Sequence, residues 1–290
     1  MQHFDRIPPI GLGTFRLKGQ DVQQPVREAI RVGYRHIDTA TIYRNEKEIG
    51  LVLQELYADP ANRLARSDLW ITSKLSPYDM RSPRASLLKS LSALQTDYLD
   101  LYLIHWPGVA RKSASSPVHK RLRIEAWKVL NEAKIEGLIR HIGVSNFTPQ
   151  HLQELVDETD YGLKGAFVQM EIHPWYWRDA MEIQIGFAKH NVVLVGYALL
   201  AEGKLSGPDC PPILDQVVEK YGTTRVQVVL AWALKKFPGI LVRSGDLTHL
   251  RQNLDASSTA ISLTPEEVTV VDDISSAAEE KLCWDPSFVK

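Results

Sequence analysis

The chain has 290 residues, enough for one large domain or two average ones, and no linker rich in proline, glycine or serine divides it. Its 34 basic and 35 acidic residues nearly cancel, which argues against attraction to nucleic acid or to an anionic membrane. No apolar run reaches the roughly 18 residues of a membrane span. We therefore expect one domain over residues 1–290, with neither nucleic acid nor a membrane as its partner.

The first residues and the cysteine content indicate the cellular compartment. The first six residues lack the basic-then-apolar order of a secretion signal, and two cysteines, Cys210 and Cys283, make no disulfide framework. These features favour a reducing cytoplasm and a small molecule as the partner. A monomer is favoured, and the oligomeric state is otherwise left open.

Short apolar runs alternate with segments of helical periodicity along the chain. The predicted strands are residues 10–13, 35–39, 69–74, 99–105, 139–144, 166–171, 192–197 and 240–242. The predicted helices are residues 22–32, 46–57, 83–94, 122–136, 149–158, 178–189, 224–237 and 265–274. Continuous apolarity is typical of strands buried on both faces, and strict alternation with helices implies a parallel sheet. The pattern predicts an α/β fold, a closed (β/α)8 TIM barrel in a single domain.

Four polar residues stand at or just past the ends of the early apolar runs: Asp38, Tyr43, Lys74 and His105. In a β/α barrel the carboxyl ends of the strands open onto one face, so these side chains should converge there. A carboxylate, a phenol, an amine and an imidazole in one place form a proton-transfer set.

Several multi-residue motifs of this chain resemble those of the aldo-keto reductase family. They are Gly11-Leu12-Gly13-Thr14-Phe15, residues 33–40, Tyr43-Arg44-Asn45-Glu46, residues 103–107, residues 143–147 and Glu171-Ile172-His173-Pro174. The resemblance covers almost the whole chain. It implies an (α/β)8 barrel that reduces aldehydes and ketones to alcohols, usually with NADPH at the carboxyl-terminal mouth; NADH is kept as an alternative cofactor.

The four polar residues suit that chemistry by their types. Hydride transfer to a carbonyl leaves negative charge on oxygen, so a proton donor is needed there. A phenol donates more readily when its pKa is lowered, which a neighbouring ammonium achieves. Tyr43 is therefore expected to be the general acid, Lys74 its activator, Asp38 the partner of Lys74, and His105 the residue that orients the carbonyl. The resemblance assigns the same roles.

The cofactor residues are inferred from the resemblance. Ser145, Asn146 and Gln169 would hold the carboxamide and Tyr197 would stack on the nicotinamide ring, with Ala198 and Leu199 next to the pyrophosphate, where the family commonly has Ser-Pro. Thr14, Phe15 and Asp38 complete this end, whereas Arg243, Ser244, His249, Gln252 and Asn253 would surround the adenosine. Arg243 is able to hold a 2′-phosphate bidentately. His249 stands where the family has arginine, which weakens the case for strict NADPH preference.

The substrate pocket is expected to be lined by Phe15, Tyr43, His105, Trp106 and Trp284, with Trp175 or Trp177 as further candidates. Aromatic walls favour an apolar or aromatic carbonyl compound. The pattern does not identify which aldehyde or ketone is the substrate.

Two rival functions remain open at this point. His36 and Asp38 share a strand face, and His105, His141 and His173 lie on other strands, which would suit a metal-dependent hydrolase on the same fold. That reading leaves Tyr43 without a role, and we expect no metal site. The other rival is a regulatory subunit that keeps the reductase fold and binds NADP(H).

Overall fold

Eight parallel strands form a closed barrel in the computed structural model, which describes residues 6–207, 210–257, 261–277 and 279–290. The strands are β1 (Ile10–Gly13), β2 (His36–Asp38), β3 (Trp70–Leu75), β4 (Leu99–Ile104), β5 (Ile139–Ser145), β6 (Phe167–Glu171), β7 (Val193–Tyr197) and β8 (Gly239–Val242). Each strand pairs with the next, and β8 pairs with β1, where Leu12 lies opposite Val242. The predicted (β/α)8 barrel is confirmed.

The helices surround the barrel. They are α1 (Gln23–Val32), α2 (Glu46–Ala58), α3 (Pro83–Leu94), α4 (Val118–Ile135), α5 (Pro149–Asp157), α6 (Arg178–Gly186), α7 (Ile213–Tyr221), α8 (Arg225–Lys236), α9 (Leu247–Asp255), α10 (Pro265–Asp272) and α11 (Ile274–Ala277). All eight predicted helices are present, although α4 begins four residues before the predicted start at residue 122. The last predicted residues of α6 form instead a separate 3-10 turn, Ala188–His190.

The sequence pattern missed α7 and α9, which have nine residues each, and the four-residue α11. Helix α9 follows a local capping signal, because Asp246 accepts a hydrogen bond from the His249 amide at 2.9 Å. Its sequence is otherwise strongly polar, so the apolar stripe is too thin to register as helical periodicity. Helix α7 ends at Gly222, whose φ of +57° gives the left-handed conformation of a helix stop.

The lower half of the barrel is filled with side chains. Trp70, Phe167 and Leu241 pack together inside it, so the barrel is a solid core and not a channel. His36 lies in this layer, where its Nε2 atom is 2.9 Å from Thr72 Oγ1, and burial lowers its pKa to about 3. The upper half is left for the polar residues at the strand ends.

No helix among the described residues combines the length and the apolarity needed to cross a membrane.

Candidate active site

The carboxyl ends of the strands surround a cavity of about 770 Å³. Six strands contribute residues at or near their ends to its lining: Gly13, Asp38, Ser145, Gln169, Tyr197 and Val242. The loops that follow the strands complete it. The position agrees with the general rule that sites in this architecture lie at the carboxyl-terminal face.

A buried ion pair lies at the base of the cavity. Lys74 and Asp38 are almost completely buried, and the Lys74 ammonium donates a short hydrogen bond to Asp38 and another to the Thr39 carbonyl at 2.9 Å. Gln169 Nε2 donates to the second Asp38 oxygen at 2.8 Å. Burial raises the pKa of Asp38 and lowers the pKa of Lys74, while their mutual attraction opposes both shifts. The pair is therefore fixed in position by several partners.

Tyr43 and His105 meet beside that pair. Tyr43 ends the 3-10 turn Thr41–Tyr43 that follows β2, and its hydroxyl lies 3.5 Å from His105 Nε2. The Lys74 ammonium is 5.2 Å from the centre of the Tyr43 ring. His105 directly follows β4 and donates its backbone N–H to Leu75 at 3.1 Å. The structure thus brings together all four residues that the sequence singled out.

The pKa of Tyr43 shifts in the direction opposite to the sequence-based expectation. Burial, followed by the charge of Asp38, raises it well above its usual value near 10. The Lys74 ammonium, which is bound to Asp38, does not offset these two effects on the pKa of Tyr43. Burial, with the Lys74 charge, also lowers the pKa of His105 well below its usual value. At neutral pH the phenol is therefore protonated and the imidazole neutral.

The residues predicted to hold the nicotinamide form one connected group. Asn146, in the left-handed region at φ +63°, donates from Nδ2 to the His105 carbonyl and to Ser145 Oγ, both at 3.0 Å. Its Oδ1 atom accepts a hydrogen bond from the Tyr197 hydroxyl at 2.5 Å. Ser145, Asn146, Gln169 and Tyr197 all line the cavity. This network ties the predicted cofactor residues to His105.

The predicted nucleotide residues divide into two groups. Phe15, Ala198, Leu199 and Arg243 line the cavity, whereas Thr14, Ser244, His249, Gln252 and Asn253 are not part of its lining. Thr14 is fully buried behind the site, where its hydroxyl bonds the Asp38 carbonyl at 2.9 Å. Ser244 Oγ accepts from the Asp246 amide at 3.1 Å, at the start of α9. The sequence overlooked Asp246, although it carries the local capping signal.

A further ion pair joins two loops of the cavity, and no motif or periodicity indicated it. Arg16, after β1, contacts Glu202, after β7, at 2.9 Å, and both side chains are about half exposed. Glu202 lies in a turn where Ala198, Ala201 and Glu202 all have positive φ. Such a backbone turns the chain sharply across the rim of the cavity.

Aromatic side chains form the outer part of the cavity, as the sequence predicts. The rings of Phe15 and Tyr43 are 5.2 Å apart, and those of Trp106 and Trp284 are 5.0 Å apart. The candidates Trp175 and Trp177 are wrong, since neither lines the cavity. Trp175 is buried beneath the rim, and Trp177 packs against Trp232 of α8 at 6.3 Å, because α6 draws it away from the barrel mouth.

The histidines that suggested a metal site do not form one group. His36 and His141 both pack against Trp70 in the lower barrel, His105 lines the cavity, and His173 is buried against Glu171, at 3.1 Å. Within the described ranges there is no group of three or more His, Cys, Asp or Glu residues able to hold a metal ion.

Comparisons with known proteins identify the same architecture and family. The model of the "Aldo/keto reductase family" matches residues 9–276. Methylglyoxal reductase DkgA of Escherichia coli (strain K12) is 35% identical over 88% of this chain and 86% of that protein, and dihydrodiol dehydrogenase 3 of Bos taurus is 30% identical over 94% and 89%.

Solved structures give the same result. The aldose reductase from Giardia lamblia superimposes with a TM-score of 0.81 at 28% identity, over 98% of this chain and 97% of that one. An aldo/keto reductase from Brucella melitensis does so with a TM-score of 0.77 at 30% identity, over 92% and 95%. Together with the family match over most of its length, this shows that the chain belongs to the aldo/keto reductase family.

Proposed function

We propose that the chain reduces aldehydes or ketones to alcohols with NADPH, or alternatively NADH, and that Tyr43 is the general acid. The observation that carries the proposal is the meeting of the Tyr43 hydroxyl and His105 Nε2, 3.5 Å apart, in a cavity that is also lined by Asp38, the partner of the buried Lys74 ammonium. Membership of an oxidoreductase family supports it.

The donors and acceptors of the cavity fit a nicotinamide cofactor. The side chains of Ser145, Asn146 and Gln169 offer hydroxyl and amide groups for a carboxamide, and Tyr197 offers a ring face. Gln169 uses Nε2 to bond Asp38, which leaves its Oε1 atom to accept from an amide. Arg243 lies at another part of the same cavity, where a cation suits a phosphate. When bound, the cofactor supplies hydride to the carbonyl carbon.

The side chains of the cavity then bind and protonate the carbonyl oxygen of the substrate. A carbonyl oxygen placed between Tyr43 and His105 accepts hydrogen bonds from both, and Tyr43 Oη gives up its proton as negative charge develops there. The raised pKa keeps that proton available at neutral pH, and an alkoxide is basic enough to take it. Lys74, held by Asp38, keeps positive charge near the phenolate that remains.

Substrate class follows from the outer cavity. Phe15, Trp106 and Trp284 give it aromatic walls, which suits small carbonyl compounds with an apolar or aromatic group. We further propose a monomeric, single-domain enzyme of the cytoplasm; free thiols at Cys210 and Cys283 are in keeping with a reducing compartment.

The test is a panel assay on the purified protein. NADPH and NADH oxidation is followed spectroscopically with methylglyoxal, short aliphatic aldehydes, aromatic aldehydes and ketones. We expect turnover with several aldehydes and faster turnover with NADPH. Tight NADPH binding without any turnover would support the regulatory subunit instead. Hydrolytic activity that is lost on chelation and restored by a metal ion would support the hydrolase.

A further inference from the structure

A buried carboxylate outside the proton-transfer group anchors one wall of the cavity. Glu171, the last residue of β6, has a completely buried side chain. It accepts hydrogen bonds from Lys281 Nζ at 2.8 Å and from the backbone amides of Leu282 and Cys283 at 2.6 and 3.1 Å. His173 Nε2 lies 3.1 Å from the same carboxylate. Three of these partners are more than 100 residues away in the chain.

The carboxylate keeps its charge because of those partners. Burial by itself would raise the pKa of Glu171, but the hydrogen bonds from His173 and Lys281 and the Lys281 charge lower it to about 2. Removing the partners of a buried carboxylate strongly destabilises the folded protein. The Glu171 carboxylate therefore holds segment 281–283 against β6, because loss of that segment would leave a buried charge without most of its hydrogen bonds.

The held segment is itself part of the cavity. Leu282, Cys283 and Trp284 line it, and Trp284 packs edge-on against Trp106, which directly follows His105. Upstream, the Glu280 amide bonds the Trp175 carbonyl at 3.0 Å, and the Lys281 ammonium lies 4.3 Å from the centre of the Tyr176 ring. Trp284 thus directly follows the three residues that Glu171 contacts, residues 281–283.

We infer that Glu171 is a positioning residue for the substrate, which acts by fixing segment 281–284 and so sets the size of the substrate pocket. The inference rests on the proposed function. A carbonyl compound with an aromatic group needs the Trp106–Trp284 wall, whereas a short aliphatic aldehyde reaches Tyr43 without it. Glu171 should therefore govern selectivity between these two classes, and hardly affect the chemical step.

A direct test needs no turnover. Amide hydrogen exchange of residues 280–284 is measured in wild type and in Glu171→Gln, with Glu136→Gln as the control, since Glu136 is an exposed carboxylate paired with Arg84. We expect the Leu282 and Cys283 amides to exchange at least tenfold faster in Glu171→Gln and unchanged in Glu136→Gln. Unchanged exchange in Glu171→Gln would overturn the anchoring role.

The kinetic test separates positioning from general stability. In Glu171→Gln we expect KM for an aromatic aldehyde to rise at least tenfold, with KM for a short aliphatic aldehyde, both kcat values and the dissociation constant of NADPH changed less than threefold. Trp284→Ala should show the same loss of selectivity without the faster exchange at Leu282. Equal losses for both aldehydes would overturn the selectivity role.

Two other results would also be informative: a Glu171→Gln variant that does not fold, and a wild type without carbonyl-reducing activity. If Glu171→Gln does not fold, Lys281→Met replaces it, because this variant removes one donor to Glu171 and leaves both backbone hydrogen bonds. We expect smaller increases in amide exchange and in KM for the aromatic aldehyde. No change in either quantity would overturn the inference. If the wild type reduces no carbonyl compound, the proposed function fails, while the exchange experiment still tests the anchor.

Discussion

At the scale of single residues, burial shifts the pKa values of the side chains at the site. Tyr43, Lys74 and His105 all have pKa values moved by desolvation in the direction of the neutral form. Asp38 receives hydrogen bonds from Lys74 and Gln169 and fixes both. Tyr43, the proposed proton donor, and its neighbours are thus held in defined protonation states.

The first prediction concerns the proton donor. Tyr43→Phe removes the hydroxyl and keeps the ring that contacts Phe15. We expect kcat to fall by roughly three to four orders of magnitude, in keeping with loss of a general acid, while the dissociation constant of NADPH changes little. Single-turnover kinetics and a fluorescence titration check this. A variant that retains more than about a tenth of the wild-type rate would assign the proton to another group.

The second prediction concerns pH. Because the pKa of Tyr43 is raised, the acid form is lost only as pH rises well past 10; because the pKa of His105 is lowered, it stays neutral until pH falls well below 6.5. We expect kcat/KM for reduction to be level between about pH 6.5 and pH 9, the range between ordinary His and Tyr values. A falling limb centred inside that range would contradict these protonation states.

At the scale of elements, the loops after the strands shape the cavity at the barrel mouth. The sequence predicted the strands and most helices because their periodicity is local, but it missed α7, α9 and α11, which are short. It also placed Thr14, Ser244 and His249 at the cofactor, whereas none of them lines the cavity. Loop conformation, not strand order, decides which residues after a strand face inward.

The third prediction concerns the pair Arg16–Glu202, which joins the loops after β1 and β7. Glu202→Gln should speed NADPH dissociation about two- to fivefold, since an exposed ion pair contributes up to roughly 1 kcal/mol. Stopped-flow displacement measures it. The control is Glu136→Gln, which breaks another exposed pair, with Arg84, outside the cavity lining and should leave the dissociation rate unchanged. Equal rates in both variants would show that the pair does not retain the cofactor.

The fourth prediction concerns the 2′-phosphate. Arg243 lines the cavity at the end of β8 and is exposed, so Arg243→Ala should weaken NADPH at least tenfold and NADH less than twofold. His249→Ala should have a smaller effect because its side chain is 67% exposed and outside the cavity lining. Dissociation constants for both cofactors in both variants are the measurement. A similar loss of NADPH and NADH in Arg243→Ala would remove its role in cofactor choice.

At the scale of the whole molecule, barrel closure depends on close contact between strands. Gly143 of β5 leaves no room for a side chain, since a Cβ atom there would lie 2.1 Å from the Phe167 carbonyl oxygen of β6. Neighbouring strands form the wall around the cavity, so a local displacement is passed to Ser145 and Gln169, which pair in register.

The fifth prediction follows from that contact. Gly143→Ala should lower the free energy of unfolding by about 3 kcal/mol or more, the upper range for overpacking. Gly186→Ala is the control, because it ends α6 with open space around the Cβ position and should be neutral or slightly stabilising. Urea denaturation compares them. Equal free energies of unfolding in the two variants would mean that β5 and β6 move apart to admit the methyl group without loss of stability.

The sequence by itself determined the eight strands and the meeting of Asp38, Tyr43, Lys74 and His105 at one end of the barrel, because apolar runs are local signals and a barrel turns their ends to one side. Only the tertiary structure decided the contacts of Glu171 with residues 281–283, which lie 110 to 112 residues away, and the Arg16–Glu202 contact, which joins residues 186 apart. It also decided the pKa of Tyr43, because desolvation depends on everything packed around the phenol. Periodicity records how one segment faces the core; it holds no information about which distant groups meet there.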